Sequence, residues 1–154
     1  MQNCPQMATF RDTAASLPGA RPEQQAGNVW VVDDEPAAAA LACEMCDSAG
    51  LQPTAFRDPV SYLGALRGPT APGAVVLDWR LEHELSAALF MATRQRYPTL
   101  PIIFWTGSEL GSLPLMVHHD PNVRVLAKSG GSAEFDAALV WAFAGGANRG
   151  GLGD

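Results

Sequence analysis

Five times along this chain a short apolar run gives way to a helical pattern, and this alternation restricts the fold more than any other feature. Val29-Trp30-Val31-Val32, Ala74-Val75-Val76-Leu77 and Ile102-Ile103-Phe104-Trp105 contain no polar position. A strand with one wet face alternates apolar and polar residues, so unbroken runs such as these are buried on both faces. Thr54-Ala55-Phe56 and Val123 to Ala127 are two further runs. Between them, Pro36 to Ala49 reads as a helix, with Pro in the first turn and Gly50 as the stop. Asp58-Pro59 opens a short helix through Leu66, and a third helix is expected from about Glu84 to Tyr97, with Leu85, Leu89 and Ala92 on one face. From Gly107 to Pro121 the pattern is weakest: Leu113, Leu115, Met116 and Val117 suggest a short helix that Gly111 and Pro114 oppose. Ser132 is expected to cap the last helix, whose first turn carries Glu134 and Asp136 and so complements the helix dipole.

Five strand-then-helix units with doubly buried strands imply a parallel sheet with helices on each face. Right-handed crossovers then favour the doubly wound three-layer sandwich, in which ligands sit at the carboxyl ends of the strands. The 154 residues suit one domain, and 47% hydrophobic content is enough for one core. That domain is expected over residues 28–144. Residues 1–27 (Pro5, Pro18, Gly19 and Pro22 among them) and the Gly-rich 145–154 read as flexible tails.

The net charge of −6 argues against a nucleic-acid surface, which needs a clustered basic face. No apolar stretch approaches the roughly 20 residues that cross a bilayer, and no secretory signal pattern opens the chain. Cys4, Cys43 and Cys46 are an odd number and read as free thiols in a reducing compartment, which points to the cytoplasm. Cys43 and Cys46 have redox-like spacing but lie late in a helix, away from the dipole that would activate a thiol, and so read as packing.

Polar residues stand just past the apolar run on four of the five strands: Asp33 and Asp34, then Asp78, Thr106 and Lys128. In a doubly wound sheet these ends converge. Three clustered carboxylates repel one another unless a cation joins them, and Mg²⁺, a hard ion that takes carboxylate and carbonyl oxygens, is the economical choice. A carboxylate beside such an ion can attack phosphorus to give an acyl phosphate. The ion and the lysine ammonium would neutralise charge on the transferring oxygens. A neighbouring hydroxyl could then sense the new group.

These residues, as Val31-Val32-Asp33-Asp34-Glu35-Pro36, Leu77-Asp78, Trp105-Thr106-Gly107 and Leu126-Ala127-Lys128, resemble the response-regulator receiver family of two-component signalling, the CheY-like superfamily. The resemblance implies a flavodoxin-like sandwich with strand order 2-1-3-4-5 and Asp78 as phospho-acceptor. Thr106 would be the switch hydroxyl and Lys128 the conserved-role ammonium. Mg²⁺ would be held by Asp34, Asp78 and the backbone carbonyl of Arg80, with Asp33 acting through water. It also implies a histidine kinase or histidine phosphotransfer protein as donor, a downstream protein target and no turnover activity. A homodimer is a further expectation.

The chain departs from the family pattern at several positions. Ser129 stands where Pro usually follows the lysine through a cis bond, so the bond here is either trans or a strained cis. Glu82 and Ser86 replace the usual Pro and Gly, and Val125 replaces the frequent aromatic switch. Trp79 and Arg80, next to Asp78, are candidates for screening a phosphoryl group from water; Trp30, Trp105 and Trp141 read as packing. His118 and His119 read as a solvated loop. With about ten residues after the last helix, a stand-alone receiver or an excised domain is expected, since a helix-turn-helix needs more. A degenerate receiver that binds partners without phosphorylation is the second reading. A flavin protein or phosphohydrolase is disfavoured, because no Gly-rich cradle follows the first strand and no P-loop motif occurs.

Overall fold

The computed structural model describes residues 27–81, 84–107 and 113–144. In chain order they form β1 (Asn28–Val32), α1 (Pro36–Ser48), β2 (Gln52–Phe56), α2 (Pro59–Leu66) and β3 (Ala74–Leu77). A small hairpin follows, β4 (Arg80–Leu81) and β5 (Glu84–Leu85), and then α3 (Ala87–Arg96), β6 (Ile102–Thr106) and α4 (Leu115–His118). The domain closes with β7 (Val123–Ala127), a 3₁₀ turn (Lys128–Gly130) and α5 (Ser132–Ala144). Five strands form one parallel sheet in the order β2-β1-β3-β6-β7. Leaving out the hairpin, this is the 2-1-3-4-5 order of the doubly wound expectation.

The three central strands are the three unbroken apolar runs, and β3 and β6 are buried along their whole length. Their side chains divide by the two-residue period. Val32, Leu77 and Phe104 join Trp30, Tyr62, Leu89 and Phe90 under α2 and α3. Val31, Val76, Ile103 and Trp105 join Ala38, Ala42, Cys43, Cys46, Phe135 and Leu139 under α1 and α5. The Ala-rich face of α1 is thus a packing surface, and its two cysteines are free and buried in it. Each fully buried Val, Leu, Ile or Phe of these two layers stabilises by about 1.5–3 kcal/mol. β2 is an edge strand, which is why it tolerates Pro53 opposite Val29 and starts two residues earlier than its apolar pattern.

Local signals end the helices where the sequence places them. Gly50 adopts φ 83° after α1, its N–H bonds to Asp47 O, and that of Leu51 bonds to Cys46 O. The Asp58 carboxylate accepts the Ser61 N–H at 2.8 Å and caps α2. At the far edge of the sheet, Arg94 gathers three segments. Its Nε and Nη2 reach both oxygens of Asp120, Nη1 reaches the carbonyls of Tyr97 and Leu100, and Nη2 also reaches that of Asn122.

Two expectations are corrected. The third helix begins at Ala87, not Glu84, and Leu85 belongs to β5. The cause is the hairpin: Leu81 is buried, and the Ser86 N–H closes onto Trp79 O at 2.8 Å, which keeps Glu84–Leu85 paired with β4 as a strand. Ser132 opens α5 as a helical residue, preceded by Gly131 at φ 91°. The fourth helix is a single turn, with His118 ending it exposed. The expected tails and Cys4 lie outside the described residues, except Gly27, whose carbonyl accepts the Gln52 N–H at 2.8 Å. Among the described residues, no helix is long and apolar enough to cross a membrane.

Candidate phospho-acceptor site

The site grows directly from the ends of the ladder. β1 and β3 pair through Val32 and Leu77, so the next residues, Asp33 and Asp78, leave the sheet side by side. The Asp78 N–H bonds to Val32 O and the Asp33 N–H to Phe56 O, both at 3.1 Å, extending strand geometry one residue beyond the strands. The same parity that turns Val31 and Val76 toward α1 turns Asp33 and Asp78 to that side.

Asp33, Asp34 and Asp78 each bring a carboxylate oxygen within 4.8 Å of the other two. Asp33 and Asp78 are buried and Asp34 is half-buried. Lys128, just past β7, points into the group: its Nζ lies 2.8 Å from Asp33 Oδ2, 3.4 Å from Asp78 Oδ2 and 3.7 Å from Glu35 Oε1. The ammonium therefore compensates part of the carboxylate charge. Burial pushes the Asp33 carboxyl up; the Lys128 ammonium and the Glu35 N–H hold it back, and the Asp78 charge adds to the rise. Burial alone would lower Lys128, yet the hydrogen bond and charge of Asp33, with Asp78 behind them, hold its ammonium above the ordinary value.

Thr106 ends β6 at the same edge, fully buried and in register with Ala127, the residue before Lys128. Arg80 starts β4 two residues past Asp78, and its N–H lies 3.4 Å from Asp78 Oδ1. Asp33, Asp34, Asp78 and Lys128 thus meet, while Thr106 and Arg80 flank them. The carboxylate oxygens are hard donors at a spacing one small divalent cation can span, so the donor set fits Mg²⁺. The bond after Lys128 is trans, as are all peptide bonds among the described residues.

Trp79 does not screen the site. Its side chain is 2% exposed, stacks edge-on against Phe104 at 5.7 Å and belongs to the core under α2 and α3, on the face opposite Asp78. The period of two carried that information, since adjacent strand-end residues face opposite ways. One contributor was not anticipated: Ser86, completely buried, donates its hydroxyl to Asp78 O. In the sequence Ser86 read only as a departure from the usual glycine.

No protein-family model matches the sequence. Among curated proteins, the DNA-binding transcriptional regulator NtrC of Escherichia coli K12 is 35% identical over 82 residues, which is 53% of this chain and 17% of NtrC. The NtrC of Salmonella typhimurium matches over the same share, so the chain spans about a sixth of these relatives. Among solved structures, a response-regulator receiver protein from Sinorhizobium medicae has TM-score 0.66 at 21% identity, covering 76% of this chain and 94% of that one. NtrX from Brucella abortus has TM-score 0.72 at 20% identity over 81% of this chain and 28% of that one; both share the fold. The apo receiver domain of NtrC is 30% identical with TM-score 0.67, and the match covers 78% of this chain and 96% of the domain. With that coverage, and with the acidic cluster and its lysine at the strand ends, the chain belongs to the response-regulator receiver family.

Proposed function

We propose that this receiver accepts a phosphoryl group on Asp78 from the phosphohistidine of a histidine kinase or histidine phosphotransfer protein, in a Mg²⁺-dependent reaction, and thereby changes its affinity for a protein target. The observation that carries this reading is the Asp33–Asp34–Asp78 cluster with the Lys128 ammonium inside it. An Asp78 carboxylate oxygen forms the new bond to phosphorus as the phosphorus–nitrogen bond of the donor breaks. The imidazole nitrogen keeps the bonding pair and takes up a proton. Lys128, already 3.4 Å from Asp78 Oδ2, offsets charge on the transferring oxygens. Asp34, Asp78 and the Arg80 carbonyl would hold Mg²⁺, with Asp33 through water, and the ion would supply further charge neutralisation there. Thr106 would engage the phosphoryl group once formed, coupling occupancy to the segment after β6.

One transfer uses the acceptor once, so the domain acts as a switch and not as a turnover enzyme. Its setting would be the cytoplasm, where such donors are found, with no direct role for nucleic acid. A second reading, a phosphorylation-independent interaction module with or without self-association, draws on the single-turn α4 and on Ser129 after Lys128. Incubation with acetyl phosphate, with and without Mg²⁺, separates the two by intact mass. A Mg²⁺-dependent gain of one phosphoryl group, lost in Asp78→Ala, is expected. No gain from acetyl phosphate or a kinase, together with no Mg²⁺ binding, leaves the second reading.

A further inference from the structure

Ser86 occupies the N-terminal boundary of α3, where a serine hydroxyl normally accepts a backbone N–H of the first turn. Here it makes no such capping bond. The hydroxyl instead donates across eight residues to the main-chain carbonyl of Asp78, while the Ser86 N–H bonds to Trp79 O at 2.8 Å. Both are buried contacts, and Ser86 itself is fully enclosed. The Asp78 peptide is therefore held on two sides: its N–H by β1 through Val32 O, and its C=O by the residue that ends the β4–β5 hairpin. Trp79, packed against Phe104, fixes the next residue on the opposite face.

From this we infer that Ser86 is a positioning residue, whose hydroxyl fixes the Asp78 main chain so that its carboxylate stays aimed at Lys128 and the two partner aspartates. The inference rests on the phospho-acceptor role of Asp78. A carboxylate turns about its own side-chain bonds, but the direction of those bonds is set by the peptide planes on either side. Asp78 lies one residue beyond the last β3 ladder position, where the sheet no longer fixes both planes. The hydroxyl of Ser86 supplies the missing constraint and ties the start of α3 to the acceptor.

The test compares the parent with Ser86→Ala, which deletes only the hydroxyl, and Ser86→Gly, which also tolerates a helix boundary. The acetyl phosphate rate constant is measured with Mg²⁺, and thermal unfolding and amide hydrogen exchange in metal-free buffer. Both variants are expected to unfold several degrees below the parent but to stay folded at about 25 °C, to lose about tenfold in phosphorylation rate, as one lost hydrogen bond would give, and to exchange the Trp79 and Arg80 amides faster. A rate within twofold of the parent overturns the inference, whatever the exchange shows. A parent that takes up no phosphoryl group from acetyl phosphate or a kinase and binds no Mg²⁺ instead overturns the phospho-acceptor reading. Exchange then decides alone: faster Trp79 and Arg80 amides in Ser86→Ala support the holding role, and unchanged amides overturn it.

Discussion

Neutralising Asp78 should make the metal-free domain more stable. Asp78→Asn keeps the shape of the side chain and leaves an oxygen for the Arg80 N–H, so the change is almost purely one of charge. Asp78 faces Asp33 and Asp34 at no more than 4.8 Å between the nearest oxygens, and Lys128 at 3.4 Å. At an effective dielectric constant of about 20, each repulsion costs about 3.5 kcal/mol and the attraction returns about 5 kcal/mol. Two repulsions against one attraction leave about 2 kcal/mol unfavourable, and water at the half-buried Asp34 reduces this to about 1–2 kcal/mol. Urea unfolding in EDTA should therefore show Asp78→Asn more stable than the parent by that amount. Adding Mg²⁺ at about 100 times its dissociation constant should raise the parent by about 2.7 kcal/mol and the variant by much less, reversing the order. A variant no more stable than the parent without metal would refute the claim that these carboxylates strain the fold.

Lys128→Met leaves Asp33 buried with no cation and should destabilise by about 2–3 kcal/mol, where Asp78→Asn stabilises, and should slow phosphorylation; denaturant unfolding and intact mass check both. Trp79→Ala opens a cavity beside Phe104 and should cost about 3–5 kcal/mol in urea unfolding. If the phosphorylated variant survives, its hydrolysis rate should match the parent's. Tyr62, buried with its hydroxyl bonded to Thr93 Oγ1, has its phenol pushed by burial up to about 12. Its folded value exceeds the unfolded one near 10, so its contribution is complete below pH about 10 and is lost as pH rises toward about 12. Tyr62→Phe should flatten that part of the stability profile, and a phenol absorbance titration of the folded protein should lose a late-ionising component in that variant.

How much of this was legible in the sequence depended on the range of each signal. Asp33, Asp34, Asp78 and Lys128 could be placed because each follows a strand end, and parallel pairing brings strand ends together whatever the loops do. The small hairpin could not, because two-residue strands are too short for a period to declare itself, and the Leu85–Leu89 spacing imitated a helix. Trp79 was misplaced by proximity in sequence: it adjoins Asp78 along the chain but faces the other layer. Ser86 was invisible for a different reason. A hydroxyl bond across eight residues depends on how the chain returns, and nothing in local composition encodes that return.

The Arg94 clamp gives the domain a mechanical polarity. One guanidinium ties the end of α3, the turn into β6 and the turn into β7 at the edge away from the aspartates. Those five directed bonds make that edge a floor: displacing any one segment there breaks contacts with the other two. The opposite edge is built from strand extensions, the short β4–β5 hairpin and a 3₁₀ turn. A displacement that reaches this floor from the aspartate end cannot move α3 alone, because the same guanidinium carries the turns into β6 and β7 with it.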